Sequence, residues 1–218
     1  MDKNQDLSLP ASQHYTTLQF IPSPTPGVLR GMLDRKGNEK ARATTLVRYD
    51  PDKSFPPHIH TGGEEFLVLE GVFRDHEGSY PAGTYVRHPV GSSHAPWVEA
   101  EGCLILVKLQ FMPTEDPLVV VRDAVELGGD QSMTRQLFRS EKEVVSVVSL
   151  SVGGSISDHI DGSRGLEVFV LEGCVLFEGE EYAKYGWIRL PPNSSAAISS
   201  TTGAKLFVKS NHLAHHLE

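Results

Sequence analysis

Residues Glu65 to Gly71 read EFLVLEG, Glu167 to Gly173 read EVFVLEG, and five of the seven positions are identical. Two more pairs flank this one. GTYVRHPVGSSHAP (Gly83 to Pro96) has a counterpart, one residue shorter, in GWIRLPPNSSAAI (Gly186 to Ile198), and LILVK (Leu104 to Lys108) returns as KLFVK (Lys205 to Lys209). All three pairs lie 101 to 103 residues apart. A repeat at one fixed period calls for two copies of a single module, each of roughly 85 residues. Short apolar segments, closed by Gly and Pro at even spacing, make that module a β-structure of jelly-roll type, a sandwich or a barrel. EFLVL and CLILVKLQ (Cys103 to Gln110) are apolar on both alternating faces, so each is expected to be buried on both sides. The two copies could cover each other's outer sheets, or those faces could meet in a homodimer. Helix should be minor, with Ser132 to Arg139 the best helical candidate.

The expected organisation is therefore an N-terminal arm over residues 1–27, Pro- and Ser-rich at IPSPTPG, a first module over 28–112, a linker over 113–133 and a second module over 134–218. A hydrophobic content of 39% and a charged content of 22% belong to an ordinary globular protein. A formal charge of −8, with no Lys/Arg block, argues against nucleic-acid or anionic-membrane partners. No apolar run is long enough to span a bilayer, and MDKNQDLSLPASQ lacks a signal-peptide core, so a cytoplasmic location is expected. Two cysteines, Cys103 and Cys174, allow no disulfide framework and no CxxC knuckle.

The chemistry concentrates between His58 and His94. His58 and His60 are two apart, so on a strand they share a face. Glu64 follows Thr61-Gly62-Gly63, and His94 arrives from a separate strand after Pro89-Val90-Gly91-Ser92-Ser93. Three imidazoles and a carboxylate suit zinc, iron, manganese, nickel or copper. Acid should weaken binding, because histidines ligate only when neutral. In the second module His159 and Asp161 replace the His-x-His pair, Leu166 takes the place of Glu64 and Ala196 that of His94. That module is expected to bind no metal and to serve as a packing partner. His88 shares parity with His94 and could face the same cavity, although its place before Pro89 favours a turn role. Tyr85, Arg87 and Trp97 are candidates for a pocket mouth. Cys103 reads as a buried small hydrophobe before a redox sensor. His212, His215 and His216 read as tail histidines outside the fold.

These residues resemble the cupin superfamily. Its first motif, G(x)5HxH(x)3–4E(x)6G, is matched by His58, His60, Glu64 and Gly71, with Asp52 in place of the leading glycine; its spacing selects Glu64 over Glu65. The second, G(x)5PxG(x)2H(x)3N, is matched by Gly83, Pro89, Gly91 and His94, with Val98 at the asparagine. From GGEEFLVLEGVF to EGCLILVKL the first module is similar to the C-terminal cupin of ChrR-type anti-sigma factors. The resemblance implies an all-β protein of two tandem cupin modules, with one divalent metal, zinc before iron, manganese or nickel, on His58, His60, Glu64 and His94. It also implies a regulatory or sensory role in the oxidative-stress response and a sigma factor or another regulatory protein as partner. ChrR-type proteins hold their sigma factor with an N-terminal helical zinc domain, and no cysteine precedes Cys103 in this sequence. The alternative is a metal-dependent cupin dioxygenase acting on a small diketone or phenolic substrate. No catalytic residue and no organic cofactor are assigned, and a small-molecule ligand remains open.

Overall fold

The structure is a computed structural model that describes residues 2–38, 41–127 and 133–216. The chain divides into two compact units, Met1–Gln5 with Gln19–Ala124, and Asp6–Leu18 with Val125–Glu218. Strand β1 (Ala11–Gln13) belongs to the second unit. The first unit holds β2 (Phe20–Pro22), β3 (Val28–Lys36), β4 (Arg42–Tyr49), β5 (His58–Ile59), β6 (Glu64–Asp75), β7 (Gly78–Pro81), β8 (Tyr85–His88), β9 (Ser93–His94), β10 (Cys103–Leu109) and β11 (Val119–Val121). The second continues with β12 (Met133–Arg139), β13 (Val144–Leu150), β14 (Leu166–Phe177), β15 (Glu180–Ala183), β16 (Trp187–Leu190), β17 (Ile198–Ser199) and β18 (Ala204–Ser210). Only three short 3-10 turns interrupt this all-β pattern among the described residues.

Each unit is one antiparallel sheet that curls around its own core. In the first, strands run β11-β8-β6-β10-β4-β3-β2, with β7 beside β6 and a separate β5-β9 ribbon. In the second the order is β1-β16-β14-β18-β13-β12, with β15 and β17 beside β14. Both cores are aliphatic and aromatic. Val28, Val47, Phe66, Phe73, Ile105 and Val107 pack in the first, and Val148, Val168, Phe177, Ile188, Ile198 and Leu206 in the second. The stretches apolar on both faces, in β6 and β10, are buried on both faces.

The repeat is also visible as a shared defect. The β6–β10 ladder shifts register between Val68 and Glu70, and the β14–β18 ladder shifts between Val170 and Glu172, the equivalent place. Such a bulge bends the long strand so that one segment can serve both layers of a sandwich. The glycine closing each repeat follows from it. Gly71 and Gly173 have φ +73 and +72, and a Cβ there would collide with the carbonyl oxygen of Gly102 or Gly203.

One expectation is overturned. Met133–Arg139, the helical candidate, is the edge strand β12, paired with β13 from Met133↔Ser149 to Arg139↔Val144. Seven residues with Leu137 as their single buried member carry too little helical face to stand alone, and pairing satisfies the backbone. Ser132 lies outside the described residues. Of the segment expected as an arm, β2 joins the first sheet and β1 the second. The 113–133 segment, of which 128–132 lie outside the described residues, supplies β11 beside β8 and Asp116, which pairs with Arg87.

Candidate metal centre

Pro56 and Pro57 end the preceding run, and β5 is only two residues long, paired with β9 so that His58 faces His94. His60 leaves the ribbon, but its amide donates to the Ser92 carbonyl (2.9 Å), which keeps it beside β9. The chain then turns at Gly63 (φ +74), where a side chain would strike Met112, and enters β6 at Glu64. Strand parity sends Glu64 inward, opposite His88 on β8, and Glu65 outward, opposite Arg87. These short elements bring His58, His60, Glu64 and His94 together with one ligand atom each, all within 4.8 Å of one another.

The hydrogen bonds around the cluster decide how those atoms are presented. His58 Nδ1 donates to the Pro56 carbonyl (3.0 Å), which can only accept. His60 Nδ1 donates to Ser92 Oγ (2.9 Å), whose own proton goes to the Pro89 carbonyl (2.6 Å). His94 Nδ1 donates to Asp75 Oδ2 (3.0 Å). With all three Nδ1 atoms protonated, all three Nε2 atoms present lone pairs. His58 Nε2 and His60 Nε2 are 3.3 Å apart, and Glu64 Oε1 lies 3.5 Å from His60 Nε2 and 3.4 Å from His94 Nε2. Buried Glu64 Oε1 and His94 Nε2 have no hydrogen-bond partner. Lone pairs held face to face without a proton between them are costly unless a cation sits among them. Metal–ligand bonds of about 2.0–2.1 Å around a tetrahedral ion give ligand spacings of about 3.3–3.4 Å, close to these edges.

The protonation states agree. Burial pushes the His60 imidazole down to about 4, with the neighbouring imidazoles adding to the effect and Glu64 opposing it. Burial works against the Glu64 carboxylate, but nearby His88, His60 and His94 more than offset it and hold the group at about 2. His60 is neutral and Glu64 anionic at neutral pH, as ligation requires.

Two residues join the cluster that the motifs do not include. Asp75 Oδ1 accepts from the amides of Glu77 (2.9 Å) and Gly78 (3.2 Å) and from Tyr80 Oη (3.1 Å), leaving Oδ2 aimed at His94. In sequence, Asp75 in front of Glu77-Gly78 looks like an ordinary turn residue. His88 is a correction. It is buried, stacks on His60 (5.3 Å, 8°) and places Nδ1 3.8 Å from Glu64 Oε1, too long for a hydrogen bond. The Pro89 turn begins only after its side chain has pointed inward, so the parity with His94 governs. Asp75, His88 and His94 form a second group with metal-ligand chemistry. It shares His94 with the first, and the Asp75–His94 hydrogen bond occupies the atoms it would need.

The remaining candidates part company. Tyr85 and Arg87 are buried on the other face of β8, where Glu65 accepts from Tyr85 Oη (2.8 Å) and Arg87 (2.5 Å) and Asp116 also pairs with Arg87. They line no pocket mouth, because residues at odd positions of this strand face away from the cavity. Trp97 is partly exposed, and its backbone bridges to Ser54 and Arg74. Burial pushes the Cys103 thiol up to about 12, so it carries almost no thiolate at neutral pH. His212 is not a loose tail residue: it is buried, with Nε2 3.2 Å from Glu167 Oε2, because residues 204–210 continue the sheet up to it. In the second unit Asp161 is exposed and bonded to the Ser163 amide, and His159 approaches Thr134 Oγ1 at 3.4 Å. Leu166, Phe177 and Leu190 occupy the places of Glu64, Asp75 and His88 by register, and pack in the apolar core with Ala196 against them.

A cavity of about 280 Å³ opens onto the centre, lined by all four candidate ligands. Val28, Val47, Phe73, Ile105 and Val107 make its apolar walls, and Arg30, Thr45, Tyr49 and Gln110 its polar points.

Residues 10–113 match the family model of the ChrR cupin-like domain. A cupin barrel-domain protein from Leptotrichia buccalis has the same fold at 16% identity, with a TM-score of 0.60 over 97% of this chain and 100% of that one. The chain has a tandem cupin fold. Two further structures are similar to this chain. The Escherichia coli pirin YhhW, solved with nickel(II), is 14% identical with a TM-score of 0.67, over 92% of this chain and 98% of that one. A provisionally named dioxygenase from Nostoc punctiforme is 16% identical with a TM-score of 0.67, over 98% and 82%. No curated protein matches the chain. Among the described residues no helix is long and apolar enough to cross a membrane.

Proposed function

We propose that the first cupin module holds one divalent metal ion on His58, His60, Glu64 and His94, and that a small molecule reaches this ion through the cavity. The observation that carries the reading is the set of convergent, proton-free donor atoms, each imidazole locked in one tautomer by its own Nδ1 partner. A structural ion is closed off by its protein ligands, whereas this cluster forms part of a cavity wall. When bound, the ion supplies Lewis acidity, or redox chemistry if it is iron or nickel. The chain's own residues do the rest: Asp75 and Ser92 fix His94 and His60, and the apolar walls restrict water.

The open cavity favours an enzyme, and dioxygenase chemistry on a small diketone or phenolic compound is our reading. The ChrR-like match over residues 10–113 favours a second one, a zinc-loaded regulatory domain in the oxidative-stress response with a sigma factor or similar partner. Oxygen uptake separates the two. Protein reconstituted with iron(II) or nickel(II) should consume oxygen with acetylacetone or quercetin, and zinc-loaded protein should not. Purified protein holding stoichiometric zinc, with no uptake under any metal, would overturn the enzymatic reading in favour of the regulatory one.

A further inference from the structure

Arg30 lies on β3, two residues after the core residue Val28, so strand alternation turns it inward among the cavity's apolar walls. It is half-buried, and among the described residues no carboxylate pairs with it. Its charged neighbour is Arg35, a second guanidinium that lines the same cavity and whose own NH2 donates to the Asn38 carbonyl. Cationic side chains are seldom left in such a place without an anion to meet them. Opposite them stands one carboxylate, Glu64. Asp2 also acts on Arg35, and with a divalent ion bound the two guanidiniums and the ion still outweigh Glu64 and Asp2 together.

Tyr49 connects the two ends. Its ring is buried in the core and its side chain feels both the Glu64 carboxylate and the Arg30 guanidinium. Burial holds its phenol proton on, and among the described residues its hydroxyl has no hydrogen-bond partner. Tyr49 thus lines the same cavity as the metal cluster and Arg30, with a donor free to meet a ligand. At about 280 Å³ the cavity is at the small end of ligand sites.

We propose that the ligand of this cavity is a compact organic carboxylate with a second oxygen donor, such as a 2-oxo acid. Its carboxylate is received by Arg30 and Tyr49, and its other oxygen faces the metal ligands. The inference rests on the metal centre proposed above and departs from the diketone or phenolic substrate class named there. Guanidinium matches carboxylate in a two-point fork, which lysine cannot reproduce. An amide of the same shape keeps the size and loses the charge.

The test is isothermal titration calorimetry on zinc-reconstituted protein, with pyruvate, oxalate and longer mono- and dicarboxylates, and with pyruvamide as the neutral match. At least one carboxylate should bind with a Kd below about 1 mM, and pyruvamide about tenfold or more weaker than pyruvate. Arg30→Met should weaken the carboxylate by about tenfold or more and leave pyruvamide and the metal content unchanged. Arg30→Lys should recover part of the loss, which separates charge recognition from a folding defect. Binding by no member of the panel would overturn the proposal. So would equal affinity for pyruvate and pyruvamide, or an Arg30→Met variant that binds the carboxylate like the wild type. Metal content is read separately by elemental analysis. Protein that fails to take up zinc but still binds a carboxylate through Arg30 would sink the metal centre and leave the anion site standing.

Discussion

His94 shows how much of a metal centre is decided one bond away from the ligands. Its Nε2 can offer a lone pair because the proton sits on Nδ1 and is donated in a hydrogen bond to Asp75, which is itself held by two amides and Tyr80. Asp75→Asn should leave the fold intact and lower metal affinity by about tenfold to a hundredfold, measured by competition with a chromophoric chelator. The same scale governs pH. His60 is depressed to about 4, so between pH 6.5 and 4 the unfolded chain binds a proton that the folded, metal-free chain refuses. Stability should therefore fall as pH drops through that window. Glu64, depressed to about 2, should add to the loss below pH 4.5. Denaturant melts of metal-free protein across pH 7 to 4 check the sign; a midpoint that rises on acidification would contradict it. The four residues that the structure gathers were legible from the motif spacing. Asp75, Arg30 and Tyr49 were not, because a turn aspartate and two strand residues carry no spacing signature until the register is known; His88 was half legible, its parity with His94 set against its place before Pro89. Asp52 is an instructive middle case. It stands at the motif's leading glycine and adopts φ +58, a left-handed position that glycine favours and aspartate tolerates.

Among the elements, the repeat conserves architecture and discards chemistry. The bulge, the closing glycine and the cross-strand Arg-Glu-Lys row occur in both copies: Arg87↔Glu65↔Lys108 in the first, Arg189↔Glu167↔Lys209 in the second. The inward polar positions have become leucine, phenylalanine and alanine together, which a buried site demands, since one carboxylate left behind would be unpaired. Gly71→Ala and Gly173→Ala should each lower stability by about 2 kcal/mol or more, read by chemical denaturation, because both need a left-handed backbone and space against a carbonyl. Leu166→Glu should destabilise by several kcal/mol without creating a metal site, as it buries an unpaired charge in the apolar core. The strands were readable because alternation and Gly/Pro punctuation are local. Ser132 to Arg139 reads as helical in sequence because the exposed edge strand Met133–Arg139 shows no alternation, and its identity comes from its partner β13.

For the whole molecule, one fold occurs twice, while among the described residues the four-donor cluster occurs once. A bound ion stabilises the folded state by mass action, about 2.7 kcal/mol at a hundredfold excess over Kd, so chelation should lower the melting temperature and added metal restore it. The central claim is that His58, His60, Glu64 and His94 hold one ion per chain. The most direct measurement is the metal-to-protein ratio of the wild type beside His94→Ala, both purified without chelator and confirmed as folded by circular dichroism. The account predicts close to one equivalent in the wild type and a small fraction of that in the variant. Equal metal in the two proteins would contradict it.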